Sequence, residues 1–305
     1  MSWNAAPLPG GTKSVLVPAS RLADLKTEIA AFAEREALNS FQRWIVDELY
    51  EFAAPESEFG ATSILLLAAP HPLYARIRFR HGGRTYACLG LTMPDFTEAE
   101  RQAEEEYRRL GYHLREAAEL PLKRLAVQSG LADYGRNNIC YVEGMGSSFC
   151  LKAYWTNRPP EDMAWGPVRL APACEGCGIC TRACPTKAIR EDRFLIDNQR
   201  CLSALNEVAT PFPEWLPLSV HHTLYDCLRC QMPCPMNREH AMPAPALIEF
   251  DAAETDLLLT DAPPEAYPAP LQAKVAYLGL RRWAEGIARN MRAIMQAQDG
   301  ETPTA

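Results

Sequence analysis

The stretch CEGCGICTRACP, residues 174–185, places four cysteines in eleven positions and follows the last one with proline. The chain has 305 residues, eleven of them cysteine, and eight of these fall within the 61 residues from Cys174 to Cys234. We expect a cytoplasmic protein, whose thiols are kept reduced, and a chain of this length does not need disulfides to stabilise a core. Clustered cysteines in such a chain are typically metal ligands.

The spacing of these cysteines predicts two iron–sulfur clusters. The run C-x2-C-x2-C-x3-C-P is that of bacterial ferredoxins, in which three cysteines hold one [4Fe–4S] cube and the fourth ligates another. A second run, CLRCQMPCP at 227–235, lacks a first cysteine, and the isolated Cys201 can supply it. Eight thiolates then fill two cubes. The first predicted set is Cys174, Cys177, Cys180 and Cys234, and the second is Cys184, Cys201, Cys227 and Cys230.

Two structural zinc sites with four cysteines each are the alternative. Zinc sites usually pair two C-x2-C knuckles across a longer spacer, and they have no use for three cysteines in succession or for a repeated Cys-Pro. The spacing therefore favours iron and sulfur over zinc. The other three cysteines, Cys88, Cys140 and Cys150, stand alone in apolar surroundings and are interpreted as buried thiols.

Composition limits the class of protein. Apolar residues make up 48% of the chain, so a sizeable core can be buried, and the net charge of −7 with a pI near 5.5 does not indicate a nucleic-acid or anionic-membrane surface. The N-terminal residues lack a secretory signal pattern. The longest apolar run, at 64–70, is too short to cross a bilayer. We expect a protein without a membrane partner.

The hydrophobic patterns predict an α+β fold. Six segments carry the prediction: a mainly helical region at 20–53, a buried strand at 63–70, a hairpin at 76–91 that turns at Gly82-Gly83, one long helix or two helices broken near Pro121 at 97–130, a strand, glycine turn and strand at 137–157, and an amphipathic helix at 271–298. Three parts are expected: an α+β cofactor and substrate domain at 1–165, a ferredoxin-like double-cluster domain at 166–242, and a linker and helix at 243–305 that pack back on the first domain.

The order of several motifs resembles the epoxyqueuosine reductase family. The resemblance covers roughly residues 60 to 295, and its cluster motifs are shared by many ferredoxins. More specific are a Gly-Arg-Asn stretch and a Gly-Ser hairpin that precede the cysteines. The matching pieces are Leu125 to Asn137, Gly146-Ser147, Cys174 to Pro185, Cys201-Leu202-Ser203, Cys227 to Pro235 with Met236-Asn237, and Arg289-Asn290.

This resemblance implies a nitroreductase-like domain, related to reductive dehalogenases, that holds a cobalamin. Two [4Fe–4S] clusters would pass single electrons from a low-potential ferredoxin- or flavodoxin-type donor to the cobalt, which drives removal of an epoxide oxygen from a modified base in tRNA. A carboxylate upstream of the glycine segment would donate a proton, and by position it falls at Glu116, with Glu119 as an alternative. The residues expected to bind the cofactor are Gly130, Gly135, Arg136, Asn137, Gly146 and Ser147.

The chain also departs from the family pattern. The family usually has aspartate where Glu116 stands, its Gly-Leu-Gly-Trp-Ile-Gly has become the segment from Gly130 to Gly135 with Asp133-Tyr134 inside it, and its Gly-Ser-Trp-Phe has become 146–149. The sequence ends after the 271–298 helix, without the family's helical-repeat extension. These changes and the acidic pI argue against tRNA, so we expect a small-molecule or nucleoside-like substrate.

Several features of the sequence allow two interpretations each. Asp133 and Tyr134 are candidate proton donors near a bound cofactor, or else a turn carboxylate and a half-buried tyrosine. The alternating Arg76, Arg78 and Arg80 suit phosphate binding or a solvated strand face, and His221-His222 suits a metal or simple packing. For the whole chain, a cobalamin-using reductase and an electron-transfer protein that activates a partner, such as a corrinoid protein, both stay open. The cofactor beside the clusters could also be a flavin, or there could be no organic cofactor.

Overall fold

The computed structural model describes residues 11–54, 59–238, 245–260 and 262–300, without the side chains of 282 and 283. Its strands are β1 (Lys13–Pro18), β2 (Ser63–Pro70), β3 (Ala75–His81), β4 (Arg84–Gly90), β5 (Leu114–Glu116), β6 (Asp133–Tyr134), β7 (Cys140–Tyr141), β8 (Phe149–Thr156) and β9 (Leu247–Phe250). Its helices are α1 (Arg21–Arg35), α2 (Ser40–Trp44), α3 (Thr97–Arg109), α4 (Leu122–Gln128), α5 (Ile179–Ala183), α6 (Leu202–Glu207), α7 (Ala252–Leu258), α8 (Ala269–Tyr277) and α9 (Ala284–Gly300).

The apolar strand β2 lies at the centre of a four-stranded antiparallel sheet with the order β1-β2-β8-β5. Its sequence SILLLAAP is buried up to Ala69, because helices cover both faces of the sheet. On one face β2 and β8 pack with α1 and α4 in the main core, and on the other they pack with α3. The buried strand predicted at 63–70 is confirmed.

A second sheet has the order β4-β3-β9. The predicted hairpin at 76–91 is confirmed: β3 and β4 pair antiparallel around Gly82 and Gly83, whose φ angles are +56° and +78°. Both positions of such a two-residue turn need a left-handed backbone, which glycine adopts without strain. The third strand, β9, follows the cysteine segment in sequence and pairs parallel to β3.

The segment 97–130 differs from the prediction of one long helix or two helices. Helix α3 ends at Arg109, Gly111 follows with φ +81°, and residues 114–116 form β5 before α4 begins. The edge of β8 explains the difference, since Leu114 pairs with Thr156 and Glu116 with Tyr154. Helical sequence preference is weak enough for such tertiary pairing to override it.

The predicted amphipathic helix at 271–298 is interrupted. Helix α8 ends at Tyr277, a short 3-10 turn occupies 280–283, and α9 continues from Ala284. The break lies at Gly279, whose φ is +66° and where a Cβ atom would lie 2.7 Å from the Met93 sulfur. The chain therefore bends where only glycine fits easily. Buried side chains of α8 and α9 complete the core of the second sheet.

The division into three domains stays a prediction. Residues 1–10 and the boundary proposed at 242/243 lie outside the described residues. Beyond that boundary, β9 extends the second sheet and α9 packs against β4 and α6. None of the helices in the described part of the chain is long and apolar enough to cross a membrane.

Candidate metal centre and adjoining cavity

The first predicted cysteine set lines one small cavity. Cys174, Cys177, Cys180 and Cys234 surround it, although Cys234 is far from the others in sequence. Gly176 and Gly178 turn the chain between the first three cysteines with φ angles of +64° and +61°. Burial and the nearby Cys174 raise the pKa of the Cys180 thiol. Thiolates packed this closely repel one another, so a cationic partner is needed to hold them all deprotonated.

The second predicted set is also brought together. Burial raises the pKa of Cys227 to about 12, and the nearby Cys201 and Cys184 raise it too. Burial likewise raises the pKa of Cys230, and here Cys227, Cys201 and Cys184 act in the same direction. The four thiols are therefore electrostatic neighbours of one another. In both sets, thiols from distant parts of the sequence converge as the ligation pattern requires.

Zinc and an iron–sulfur cube place different demands on four thiols. Tetrahedral zinc needs four ligand atoms about 2.0–2.3 Å from a common point. A [4Fe–4S] cube instead spreads its four sulfur ligands over four irons. The preference for cubes over the zinc alternative rests on the spacing of the cysteines in the sequence.

Backbone amides approach the cysteine sulfurs. The Arg136 amide donates to Sγ of Cys174 at 3.4 Å, and the Ala188 amide donates to Sγ of Cys184 at 3.3 Å. Such bonds to ligand sulfurs are among the factors that set a cluster's reduction potential. Arg136 was expected to contact an organic cofactor, and the structure places its backbone against the first cysteine set.

Two neighbours of Arg136 have structural roles. Asn137 is buried, and its side-chain amide donates to the Tyr141 hydroxyl at 2.9 Å and to the Cys230 carbonyl at 3.4 Å. At Gly135, an added Cβ would lie 2.5 Å from Oδ1 of Asn137 and 2.6 Å from the Tyr141 ring. Close packing of Gly135 against Asn137 and Tyr141 thus favours glycine there. Gly130 ends α4 with φ +76°.

The Gly-Ser hairpin is tied to the end of the cysteine segment. The Ser147 amide donates to Oδ1 of Asn237 at 2.7 Å, and Nδ2 of Asn237 donates to Oγ of Ser147 at 3.0 Å. The same Asn237 amide group donates to the Gln231 carbonyl at 2.8 Å. One side chain therefore joins the hairpin that begins at Gly146 to the loop that carries Cys230 and Cys234. A role of Gly146 and Ser147 in cofactor binding stays a prediction.

A cavity of about 360 Å³ lies between the hairpin and the second cysteine motif. Its volume is at the lower end of the range for pockets that bind small molecules. Apolar side chains dominate the wall, and the polar groups are few. The cavity is lined by His71, Pro72, Leu73, Leu91, Leu122, Lys123, Ile139, Cys140, Ser147, Phe149, Cys150, Leu151, Asp226 and Gln231.

Asp226 connects this cavity to the second cysteine set. It adopts a left-handed backbone conformation with φ +63°, directly before Cys227. Its carboxylate accepts hydrogen bonds from the Ser203 hydroxyl at 2.6 Å and from the Cys227 amide at 2.7 Å. Burial raises the pKa of this carboxyl group. Ser203, from the Cys-Leu-Ser motif, thus supports the loop that holds Cys227.

Two further cavity residues were missed in the sequence. His71 follows β2, and its Nε2 lies 2.9 Å from the Thr92 carbonyl and 2.8 Å from the Thr92 hydroxyl. Burial lowers the pKa of His71. Lys123 lies in the first turn of α4, and its ammonium donates to the backbone carbonyl and to Oδ1 of Asn138 at 3.2 and 3.3 Å. Neither belongs to a recognisable motif, so only the fold brings them to the cavity.

Comparison with known proteins supports the cluster assignment. Residues 173–237 match a family described as "4Fe-4S double cluster binding domain". Epoxyqueuosine reductase from Shewanella oneidensis is 26% identical over 283 residues, which cover 88% of this chain and 67% of that protein. The enzyme from Aliivibrio fischeri is 34% identical over 142 residues, which cover 46% and 37%. The chain is therefore similar to the epoxyqueuosine reductases. The aligned regions cover between about a third and two thirds of the length of these two relatives.

Solved structures of epoxyqueuosine reductases share the fold. One from Bacillus subtilis, in which an aspartate-bearing catalytic loop is swung out of the active site, superposes with a TM-score of 0.63 at 20% identity and covers 93% of this chain and 77% of that one. A complex with an epoxyqueuosine-modified tRNA stem loop gives a TM-score of 0.55 at 20% identity and covers 90% and 82%. This chain therefore shares the mixed fold of helices and strands that these solved epoxyqueuosine reductases have.

The acid that the family resemblance implies does not line the cavity. Glu116 is exposed at the end of β5, and its carboxylate lies 3.4 Å from Nζ of Lys152. Its β8 partner is Tyr154, which packs under α3 and is not among the residues that line the cavity. Glu119 is exposed as well. The assignment of Glu116 as proton donor stays a prediction.

The other candidate donors are apart from the cavity too. Asp133 is exposed, while Tyr134 is buried in the main core and packs edge-on against Phe194. Burial raises the pKa of Tyr134 well above its usual value. Neither lines the cavity beside Asp226. A catalytic role for Asp133 or Tyr134 therefore stays a prediction without support from the geometry.

The remaining ambiguous residues are placed by the fold. Arg76, Arg78 and Arg80 are exposed on the outer face of β3, and Arg78 lies 3.8 Å from Glu249. His221 is buried against Phe212, with ring centroids 4.4 Å apart, and burial lowers its pKa to about 4. These contacts agree with a solvated strand face and with packing, respectively.

Proposed function

We infer that the protein is an iron–sulfur reductase. Two [4Fe–4S] clusters receive single electrons from a low-potential donor of the ferredoxin or flavodoxin type and deliver them to the cavity beside the second cysteine motif. There a group is reductively removed from a small or nucleoside-like substrate. The observation that carries this proposal is that Asp226 and Gln231 line the cavity while flanking Cys227 and Cys230. Electron transfer favours short gaps, and this arrangement supplies one.

Cobalamin is the cofactor that we propose for the cavity. A nitroreductase-like domain would hold it between the Gly-Ser hairpin and the cysteine segment, which is where the cavity lies. The mostly apolar wall, with Ser147 and Gln231 as hydrogen-bonding groups, suits contact with one part of such a ring, since a cavity of about 360 Å³ is smaller than a whole cobalamin. When bound, cobalamin would supply a cobalt centre that takes up single electrons. The chain's own residues would pack against it, exclude water and hold the substrate.

Proton supply and substrate orientation fall to the polar residues of the cavity. His71 is fixed by Thr92, and Asp226 is fixed by Ser203 and the Cys227 amide. These hydrogen bonds keep the two side chains oriented when charge develops on a neighbouring substrate. Less free energy is then needed to reorient them during the reaction. The hydrogen bonds from Asn237 to Ser147 keep the hairpin wall in register with the cluster loop.

The substrate class is proposed from the family. The relatives are named for epoxyqueuosine, and one solved relative contains a modified tRNA stem loop. We propose a nucleoside-like compound with a carbon–oxygen bond to be reduced. The acidic sequence argues against tRNA, whereas the solved complex keeps a stem loop as a candidate. Turnover of the free nucleoside and of the stem loop, measured side by side, distinguishes the two.

Equilibrium binding of cobalamin to the cluster-replete protein tests the proposal. We expect saturable binding at tens of micromolar or below, with a change in the visible spectrum under anaerobic conditions. A variant that narrows the cavity, Ser147→Phe, should bind less cobalamin while keeping both clusters. The absence of binding to wild-type protein would exclude the cobalamin reductase. Electron transfer to a partner protein, or a reductase with a flavin, would then be the better account.

A further inference from the structure

The wall of the cavity carries a buried amide group without a protein partner. Gln231 is only 9% exposed and lines the cavity, and within the described residues its side chain makes no hydrogen bond. Buried polar groups in proteins are almost always paired, so an exception on a cavity wall points to a ligand. The other amide, hydroxyl, imidazole and charged side chains of the wall each have a partner: Ser147 has Asn237, His71 has Thr92, Lys123 has Asn138, and Asp226 has Ser203.

The backbone of Gln231 is fixed at three points. Its amide donates to the Leu228 carbonyl at 3.0 Å, and its carbonyl accepts from the Cys234 amide at 3.1 Å and from Nδ2 of Asn237 at 2.8 Å. The loop that it occupies lies between Cys230 and Cys234, one from each predicted cysteine set. The side chain therefore starts from a well-defined position, which limits the directions that it can take.

Ser147 is the second polar group at this end of the cavity. It is 8% exposed, and its Oγ accepts from Nδ2 of Asn237 at 3.0 Å. The same nitrogen donates to the Gln231 carbonyl, so one amide group holds both residues close together. Within the described residues, the hydroxyl hydrogen of Ser147 has no acceptor. It is therefore free to donate to a ligand.

The hydrogen-bonding capacity of these two side chains defines the group that they fit. The carboxamide of Gln231 offers an acceptor oxygen and N–H donors in one plane. Such a side chain pairs in a bidentate manner with a planar edge that carries a donor beside an acceptor, as glutamine does with a nucleobase. The Ser147 hydroxyl adds a second donor. A neutral amide edge satisfies all of these groups, because its N–H meets the Gln231 oxygen and its C=O meets the donors.

We propose that Gln231 and Ser147 form a recognition site for a planar amide edge, in which an N–H lies beside a C=O. The inference rests on the proposed reductase function and names the group that a ligand presents to this end of the cavity. Two ligands of the proposed reaction can carry such an edge. One is the lactam edge of a nucleobase in a nucleoside-like substrate, and the other is a carboxamide side chain on the corrin ring of cobalamin.

Equilibrium binding to anaerobic, cluster-replete protein tests the site in two arms. The first arm is calorimetric titration with inosine, which has a lactam edge, and with 1-methylinosine, in which a methyl group replaces the N–H hydrogen. If the substrate supplies the edge, 1-methylinosine should bind about 10-fold or more weakly than inosine. The second arm is titration with cobalamin, followed by the visible spectrum. Neither arm requires turnover.

Substitutions of Gln231 then identify the ligand whose edge is recognised. Gln231→Leu removes the donor and the acceptor, and Gln231→Glu keeps the shape but loses the N–H donors. Each should weaken that ligand by about 10- to 100-fold, and Ser147→Ala should weaken it by a smaller factor. Gln296→Leu is the matched control, because Gln296 is exposed on α9, and it should change neither ligand. Iron content must equal that of wild type in every variant.

The pattern of losses decides the outcome. Weakened inosine binding with unchanged cobalamin binding assigns the edge to the substrate, and the reverse assigns it to the cofactor. The proposal is overturned if wild type binds neither ligand, if neither ligand depends on Gln231, or if both weaken equally, since equal weakening indicates a distorted wall. Wild-type protein that binds inosine through Gln231 but does not bind cobalamin would instead remove the cobalamin reductase and leave the recognition site standing.

Discussion

Asn290 on α9 is expected to hold the C-terminal helix onto the loops of the second cysteine set. Its side chain is 1% exposed, and its amide group donates to the carbonyls of Asn206 and Leu224, both at 2.8 Å. Asn206 lies on α6, which follows Cys201, and Leu224 precedes Cys227. The substitution Asn290→Ala removes both bonds, together with the two that Oδ1 of Asn290 accepts from the Arg289 guanidinium at 3.1 and 2.8 Å.

The substitution affects the two carbonyl groups unequally, because only one of them keeps another hydrogen-bond donor. That of Asn206 still has the Arg289 guanidinium at 3.3 Å, so its loss should be about 0.5–1.5 kcal/mol. The Leu224 carbonyl is left without this donor in a buried site, which costs about 1–3 kcal/mol. We therefore expect Asn290→Ala to lower the free energy of unfolding by about 2–4 kcal/mol in all. Domains are typically stable by only about 5–15 kcal/mol, so the change is large.

Urea unfolding of the anaerobic, cluster-replete protein, followed by circular dichroism, measures this change. Gln296→Ala is the matched control, because Gln296 is exposed on the same helix. It should alter stability by less than about 0.5 kcal/mol. Asn290→Ala should also lose the visible absorption of the second cluster at lower urea than wild type does. A loss below about 0.5 kcal/mol for Asn290→Ala would refute the reasoning about the buried carbonyls.

Three further predictions concern the clusters, the backbone and pH. Cys201→Ser should retain about four irons per chain instead of about eight, with the first cluster intact by electron paramagnetic resonance; equal loss of both clusters would contradict the assignment. Gly279→Ala should cost about 1–3 kcal/mol through its φ of +66° and the close Met93 sulfur, and more than Gly83→Ala, where φ is +78° but no atom lies within 4 Å. His221 is neutral in the folded protein down to pH about 4, whereas the unfolded chain binds a proton near pH 6.5. Stability should therefore fall as the pH drops from 6.5 to about 4, and His221→Phe should show a smaller fall in urea midpoint over that range.

The features predicted well from the sequence depend on local pattern. The short apolar run SILLLAAP is typical of a buried strand, and Gly82-Gly83 between alternating segments indicates a hairpin turn. The cysteine spacing is a local pattern too, because closely spaced cysteines on one loop can each reach a different iron of the same cube. Counting ligands also predicted that Cys234 joins the first three cysteines, and the structure brings it to the same cavity, while its role as a cluster ligand stays a prediction.

The features that were missed depend on tertiary contact. Residues 114–116 carry no strand pattern, and they form β5 because the edge of β8 is available to them. The helical pattern breaks at Gly279, whose φ is +66° and whose lack of a side chain leaves room for the Met93 sulfur. Lys123 and His71 carry no motif, and both reach the cavity only through the positions of α4 and the end of β2. Contacts of this kind between distant parts of the chain cannot be deduced from a single sequence.

The metal content of anaerobically purified and reconstituted protein tests the central claim most directly. Two clusters held by the eight cysteines from Cys174 to Cys234 predict about eight irons and about eight sulfides per chain, with little zinc. The same sample should show one-electron reduction of both clusters when it is titrated with a low-potential reductant. About two zinc ions per chain with almost no iron or sulfide would contradict the claim, because the cavity would then have no source of electrons.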